Sequence, residues 1–131
     1  MAASLGAELV EWSIGAASVR VEVGADQVNF LGGGHGGVLF TLGDLAMSYA
    51  SNSYGRIAVA IRIDISYLKA VAPGDELLAT AYTQSVSRRF GHHQLDVHRG
   101  DSLVAQAVGT TFRTDDWHFG REAWPEDWPH A

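Results

Sequence analysis

Cysteine is absent from this chain. That excludes a disulfide framework, a thiolate metal site and a cysteine nucleophile together. It also agrees with a reducing compartment, and the cytoplasm is the expected location. Long apolar runs are missing too: no stretch approaches the ~20 residues that a membrane span requires, so no membrane is expected as a partner. Met1 to Val10 lack a basic start and a continuous apolar segment, which reads against a signal peptide. Positive charge is scarce. Nine Lys and Arg face fifteen Asp and Glu, for a net charge of -6. Nucleic acid is therefore not an expected partner, and an anionic ligand must be met by locally clustered cations against the global field. With no internal repeat and no linker rich in Pro, Gly or Ser, nothing divides the 131 residues. A chain of that length forms one domain and buries its core without a disulfide or metal.

What is present is pattern. Val10, Trp12 and Ile14 alternate with polar residues, as do Val19, Val21 and Val23, and Gly15-Ala16 separates the two candidate strands. A glycine-heavy loop runs from Ala25 to Gly37. Val38 to about Ser53 then reads as a helix of roughly four turns, with Leu39, Leu42, Leu45, Ala46, Tyr49 and Ala50 at helical spacing. Ile57, Val59, Ile61, Ile63, Ile65 and Tyr67 alternate without error. Ala72-Pro73-Gly74-Asp75 signals a turn, and Leu77 to Ser87, Gln94 to His98 and Leu103 to Arg113 read as further strands joined around Gly91 and Gly100-Asp101. Residues 1–113 thus form the domain, and Thr114 to Ala131, with Trp117, Trp124 and Trp128, read as an irregular tail folded back on the body. The order ββαββββ, with hairpin-connected strands around one helix, is an α+β layout.

The helix is unusual for a surface. Between Val38 and Ser53 its single charge is Asp44; Thr41, Ser48, Ser51, Asn52 and Ser53 are small and neutral. Such a helix is expected to be covered on nearly all sides, within one subunit or across an interface between subunits. A carboxylate there is costly unless its pKa rises or hydrogen bonds hold it. Thr41, Asp44, Ser48 and Ser51 share one face with the acid, and a narrow solvent-facing strip is the plain alternative to a functional site.

Gly32-Gly33-Gly34-His35-Gly36-Gly37 leads into that helix. Free N–H groups and the positive dipole end at a helix start suit an anion, including the oxyanion of an acyl-transfer intermediate. A glycine run alone is weak evidence. No Gly-Lys-Ser/Thr follows to make a phosphate loop, and no βαβ unit with dinucleotide-binding spacing surrounds it. The informative feature is the pairing of Gly36 with Asp44 two helical turns later.

Asn29, His35-Gly36-Gly37, Thr41-Leu42-Gly43-Asp44 and the closing Asn52-Ser53 together resemble the phenylacetic acid degradation (PaaI-type) thioesterases of the hotdog superfamily. The similarity continues through Pro73-Gly74-Asp75-Glu76-Leu77 and Gly91 to Thr110-Phe112, covering about Leu9 to Arg113. It implies a hotdog fold, an antiparallel sheet wrapped around one long central helix. It also implies hydrolysis of an acyl-CoA, aryl-acetyl or medium-chain, in the cytoplasm. Asp44 would be nucleophile or general base, and the Gly36 amide, with Gly37, would polarise the acyl carbonyl. Asn29 would orient carbonyl or water, His35 would shape the loop, and Ser48 would help hold the water. A homodimer would form the site and pair into a homotetramer. Gly43 departs from the usual Ala of that pattern, at up to ~1 kcal/mol of helix propensity, and the Trp-rich tail lies outside it.

Arg88-Arg89 are the first candidates for the phosphates of coenzyme A, with Arg56, Arg62 and Lys69 behind them and ordinary surface charges as the alternative. His92, His93 and His98 invite a metal reading. Without carboxylates at ligand spacing they read better as loop and strand-surface histidines, so no metal is expected, nor any cofactor beyond the substrate's own coenzyme A. Two other activities stay open at this stage: a hotdog hydratase or dehydratase pairing His35 with Asp44, and a non-catalytic acyl-CoA-binding protein.

Overall fold

The computed structural model describes residues 6–25 and 36–128. Strands β1 (Glu8–Ser13), β2 (Ala16–Glu22), β3 (Arg56–Tyr67), β4 (Glu76–Val86), β5 (Phe90–Arg99) and β6 (Ser102–Trp117) form one antiparallel sheet in the order β1-β2-β4-β5-β6-β3. The single long helix α1 (Gly36–Asn52) packs on one face of it. This is the α+β layout expected. Alternation supplies the contact: Val19 and Val21 of β2, Leu77, Ala79 and Ala81 of β4, Leu95 and Val97 of β5, and Ala105 and Ala107 of β6 turn toward Leu39, Leu42, Ala46, Met47 and Ala50 of α1. The four alanines leave the room a helix needs. Gly109 leaves more, because a Cβ there would collide with Met47 Sδ.

The β1–β2 turn takes Ile14-Gly15, with Gly15 at φ 77°, and Ala16 already belongs to β2. The turn is fixed to the helix end, since Gly15 N–H donates to Ser53 Oγ at 2.7 Å and Ser53 Oγ donates to Ala50 O at 2.6 Å. β5 starts at Phe90, earlier than the expected Gln94. The β4–β5 turn is closed by Ser87 N–H to Phe90 O at 2.8 Å and Phe90 N–H to Ser87 Oγ at 3.1 Å. Gly91 is therefore inside a strand. Its missing side chain makes room for His93 and Thr111, whose Nε2 and Oγ1 lie 2.8 Å from where a Cβ would stand.

His93 corrects the reading of surface histidines. It is buried, with Thr83 Oγ1 3.0 Å from Nδ1 and Thr111 Oγ1 2.9 Å from Nε2. Burial first, then the nearby His92, pushes its pKa down to about 4, so it stays neutral at neutral pH.

β6 also runs on to Trp117, past the expected end at Arg113. A register irregularity between Arg56 and Ala58 absorbs the extra residues, and Thr114 Oγ1 donates to Ile57 O at 2.8 Å. The tail then folds back. A short 3-10 helix (Arg121–Ala123) follows, Arg121 lies over the Trp117 ring at 4.4 Å, and Trp128 Nε1 donates to Ser53 O at 3.1 Å.

Candidate active site

The buried positions of α1 are Val38, Leu39, Leu42, Gly43, Ala46, Met47, Ala50 and Ser51, of which Leu39, Leu42, Ala46, Met47 and Ala50 pack into the core against the sheet. The opposite side is open in the single chain: Phe40 and Ser48 are exposed, and Gly36, Gly37, Thr41 and Asp44 are half-buried. The expected enclosure is therefore complete on one side only. Asp44 is the only ionisable group on this face. Its carboxylate has no hydrogen bond or ion pair among the described residues, and desolvation pushes its pKa above the ordinary value near 3.8. A carboxylate held without a cation keeps its basicity and its lone pairs for another molecule.

Gly36 opens the helix. A residue at that position has an N–H with no intrahelical acceptor, at the positive end of the macrodipole. The Tyr67 ring, at the end of β3, covers it: Cζ lies 3.5 Å from where a Gly36 Cβ would be. Nothing in the sequence pointed to Tyr67, because its closeness to Gly36 depends on the antiparallel run of α1 and β3. Asn29, His35 and Gly32 to Gly34 lie outside the described residues.

Eight residues separate Gly36 from Asp44, a rise of about 12 Å at 1.5 Å per residue. Side chains lean toward the helix start, but Asp is too short to span that distance. One carbonyl cannot touch the Gly36 N–H and the Asp44 carboxylate of the same helix.

Residues 31–106 match the family model of the thioesterase superfamily. The chain belongs to that superfamily. It is similar to the acyl-coenzyme A thioesterase PaaI of Escherichia coli, with 35% identity over 113 residues covering 86% of this chain and 81% of the relative. The solved structure of the E. coli PaaI protein, from the phenylacetic acid degradation operon, superposes with a TM-score of 0.86 at 32% identity, covering 88% of this chain and 85% of that one. A Streptococcus mutans protein solved bound to acetyl CoA gives 0.79 at 32% identity, over 82% and 88%. The hotdog fold, the PaaI-type resemblance and thioester hydrolysis as the class of activity thus stand together.

Within this thioesterase the arginines divide. Arg56 is buried and spent on main-chain carbonyls, Thr114 O at 2.7 Å, Arg88 O at 2.7 Å and Arg113 O at 3.2 Å; it is structural and not free for a phosphate. Arg89 donates to Arg113 O at 3.0 Å and pairs with Asp115 at 2.9 Å. Arg88 is exposed at the β4–β5 turn. Both arginines of the pair lie beside the start of β3, whereas Gly36 lies at its end, so one chain does not bring them together. Arg62 approaches Asp64 at 3.9 Å, and Lys69 Nζ donates to Ser102 Oγ at 2.6 Å.

Ser48, one turn beyond Asp44, borders a cleft of about 460 Å³ whose other walls include Trp12, Tyr49, Ile57, His118, Phe119 and Trp124. Trp12 and the three tail residues lie outside the matched span. The hint of the tail residues in the sequence was the concentration of aromatic residues after Arg113.

Proposed function

We propose that this thioesterase hydrolyses an acyl-CoA, aryl-acetyl or medium-chain, to the free acid and coenzyme A at a site shared by two subunits. The observation that carries the reading is Asp44: a desolvated carboxylate with no partner among the described residues, on the open face of a helix that begins at Gly36. Because about 12 Å separates the two groups along one helix, the Gly36 amide of one subunit acts with Asp44 of the other. Two antiparallel copies of α1 related by a two-fold meet this condition when the axis passes near Phe40, midway between positions 36 and 44. Phe40 is exposed there.

The edge strand β3 supports the same pairing. It runs for 12 residues and leaves Val59, Ile61 and Tyr67 exposed. A long apolar edge invites another strand, and an isologous pairing of β3 with itself satisfies it. The assembly proposed is a dimer, paired further into a tetramer.

In this site the thioester carbonyl accepts from the Gly36 N–H, with Gly37 beside it. The Asp44 carboxylate attacks the carbonyl carbon, forming a mixed anhydride that water then cleaves to the free acid, or it takes a proton from the attacking water and returns it to the leaving sulfur. Negative charge develops on the carbonyl oxygen at the positive end of the helix, and the thiolate of coenzyme A departs. Asn29 orients the carbonyl or water, His35 shapes the approach to the helix, and Ser48 holds the water. Arg88, with Arg89 behind it, meets the phosphates. The test is a panel of acyl-CoA thioesters read by thiol release. Asp44→Asn should lower kcat by at least about 10³-fold, the scale of losing a group required in the transition state. Near-normal turnover in that variant would end the mechanism.

A further inference from the structure

The cleft beside Ser48 has a composition that selects its occupant. Among the described residues no Asp, Glu, Lys or Arg lines it, and its apolar walls come from four separate parts of the chain: Trp12 of β1, Tyr49 of α1, Ile57 and Ala58 of β3, and the Phe119 and Trp124 rings of the tail. Its polar groups are largely committed. Trp12 Nε1 donates to Tyr49 O at 2.9 Å. Asn52 Oδ1 accepts from Ala58 N–H at 2.9 Å and lies 2.8 Å from His118 Nε2, while Asn52 Nδ2 donates to Ser48 O at 2.8 Å and to Ala58 O at 3.2 Å. Trp124 Nε1 donates to His118 O at 2.8 Å. The Ser48 hydroxyl has no such commitment among the described residues and lies at the end nearest Asp44.

Phe119 adds a second, independent observation. It is 91% exposed and sits at φ 62°, a left-handed conformation that side-chain-bearing residues rarely adopt. The turn holds this large apolar ring out at the cleft mouth, with Gly120 N–H donating to Trp117 O at 3.1 Å. Core packing does not hold the ring in this disfavoured backbone conformation, so it is accessible to a ligand in the cleft it lines.

Asp44 and Ser48 are neighbours on one helix face, with Cβ atoms about 6 Å apart. We infer that the Trp12–Tyr49–Phe119–Trp124 cleft holds the apolar end of the acyl group, so that the tail beyond the matched family span sets acyl specificity. This rests on the hydrolytic site proposed above. A thioester carbonyl at Asp44 sends its acyl group past Ser48 into a space well beyond the needs of an acetyl group. These largely apolar walls admit an extended alkyl or aryl group, and no Lys or Arg among the described residues lines them to pair with an acyl group ending in a carboxylate.

The test compares acetyl-, octanoyl- and succinyl-CoA on the wild-type protein, Phe119→Ala and Phe119→Glu. Phe119 is on the surface, so both variants should fold. Octanoyl-CoA should be preferred over acetyl- and succinyl-CoA. Phe119→Ala should lower kcat/KM for octanoyl-CoA about 10-fold or more and leave acetyl-CoA unchanged, and Phe119→Glu should lower it further. Equal effects on acetyl- and octanoyl-CoA, or none on either, would overturn the assignment. Binding is read separately by tryptophan emission, since Trp12 and Trp124 line the cleft, with octanoyl-CoA titrated into Asp44→Asn with and without Phe119→Glu. If no thioester is cleaved, the hydrolytic reading fails, and the titration still decides the cleft. An emission change abolished by Phe119→Glu supports it, and no change, as when a second copy of the chain fills the space, overturns it.

Discussion

Mixing two inactive variants distinguishes a shared site from one built within a single chain. Asp44→Asn removes the carboxylate, and Gly36→Pro removes the N–H at the first helical position, where proline's fixed φ is tolerated and its missing donor breaks no intrahelical bond. The distance decides the expectation: about 12 Å along one helix is several times the reach between an attacking oxygen and a carbonyl polarised by a hydrogen bond. In a heterodimer of the two variants, one site therefore carries both lesions and the other carries none. Random reassortment makes half of the dimers mixed, with one intact site of two, so activity should return to about one quarter of wild type for a two-fold dimer. Each variant alone should stay at background. The assay is thiol release from an acyl-CoA after co-refolding or co-expression, with mixed dimers quantified by native mass spectrometry. Mixed dimers without recovered activity would refute the shared site, because each chain would then carry one lesion of its own.

Further expectations follow from single contacts. Asp44 must be ionised to act, and its pKa lies above the ordinary value near 3.8 because of desolvation. The acidic limb of kcat/KM should therefore fall above that pH; a limb at or below 3.8 would mean that another group controls the rate. The same shift costs stability as pH rises, since the folded state binds this proton more tightly than the unfolded state between 3.8 and the raised pKa. Gly43→Ala should stabilise the fold by up to about 1 kcal/mol through helix propensity, because its Cβ would stand 3.6 Å from Leu95 Cδ2, an ordinary contact. Urea denaturation measures it, and a loss of stability would refute it. Arg88→Ala should raise KM for acyl-CoA several-fold with kcat unchanged, and leave an acyl-pantetheine without the nucleotide phosphates unaffected; equal effects on both would remove the phosphate role.

The sequence was most legible where one period decided the structure. Leu39, Leu42, Ala46 and Ala50 repeat at helical spacing and are buried, and Val19, Val21, Leu77 and Ala79 alternate and face the helix. Legibility ended where register depends on a neighbouring strand. The alternation from Ile57 to Tyr67 predicts one apolar face. A bulge between Ala60 and Arg62 changes the parity, so Ala58 is buried and Ile63 and Ile65 pack on the core while Val59 and Ile61 stay exposed. No local propensity places that bulge, because it is set by pairing with Thr110 and Thr111 on β6. Gly91 was misread for a related reason: a strand glycine needed for close approach and a turn glycine look alike until His93 and Thr111 are in place.

The candidate site shows both situations at once. Asp44 stands out in one dimension because a charge interrupts an apolar and small-residue helix, and the structure gives it the raised pKa that such a position demands. Tyr67 over Gly36, and Phe119 and Trp124 beside Ser48, depend on contacts across 30 residues or more of chain, where periodicity carries no information. The two groups also differ in the kind of constraint they meet. In the proposed reaction Asp44 and Gly36 must satisfy a reaction coordinate, which constrains their residue types and spacing. The cleft must satisfy only volume and polarity, which many combinations of aromatic and aliphatic residues can do. The proposed chemistry is therefore readable from the helix, while the proposed choice of acyl group must be read from the surfaces that fold against it.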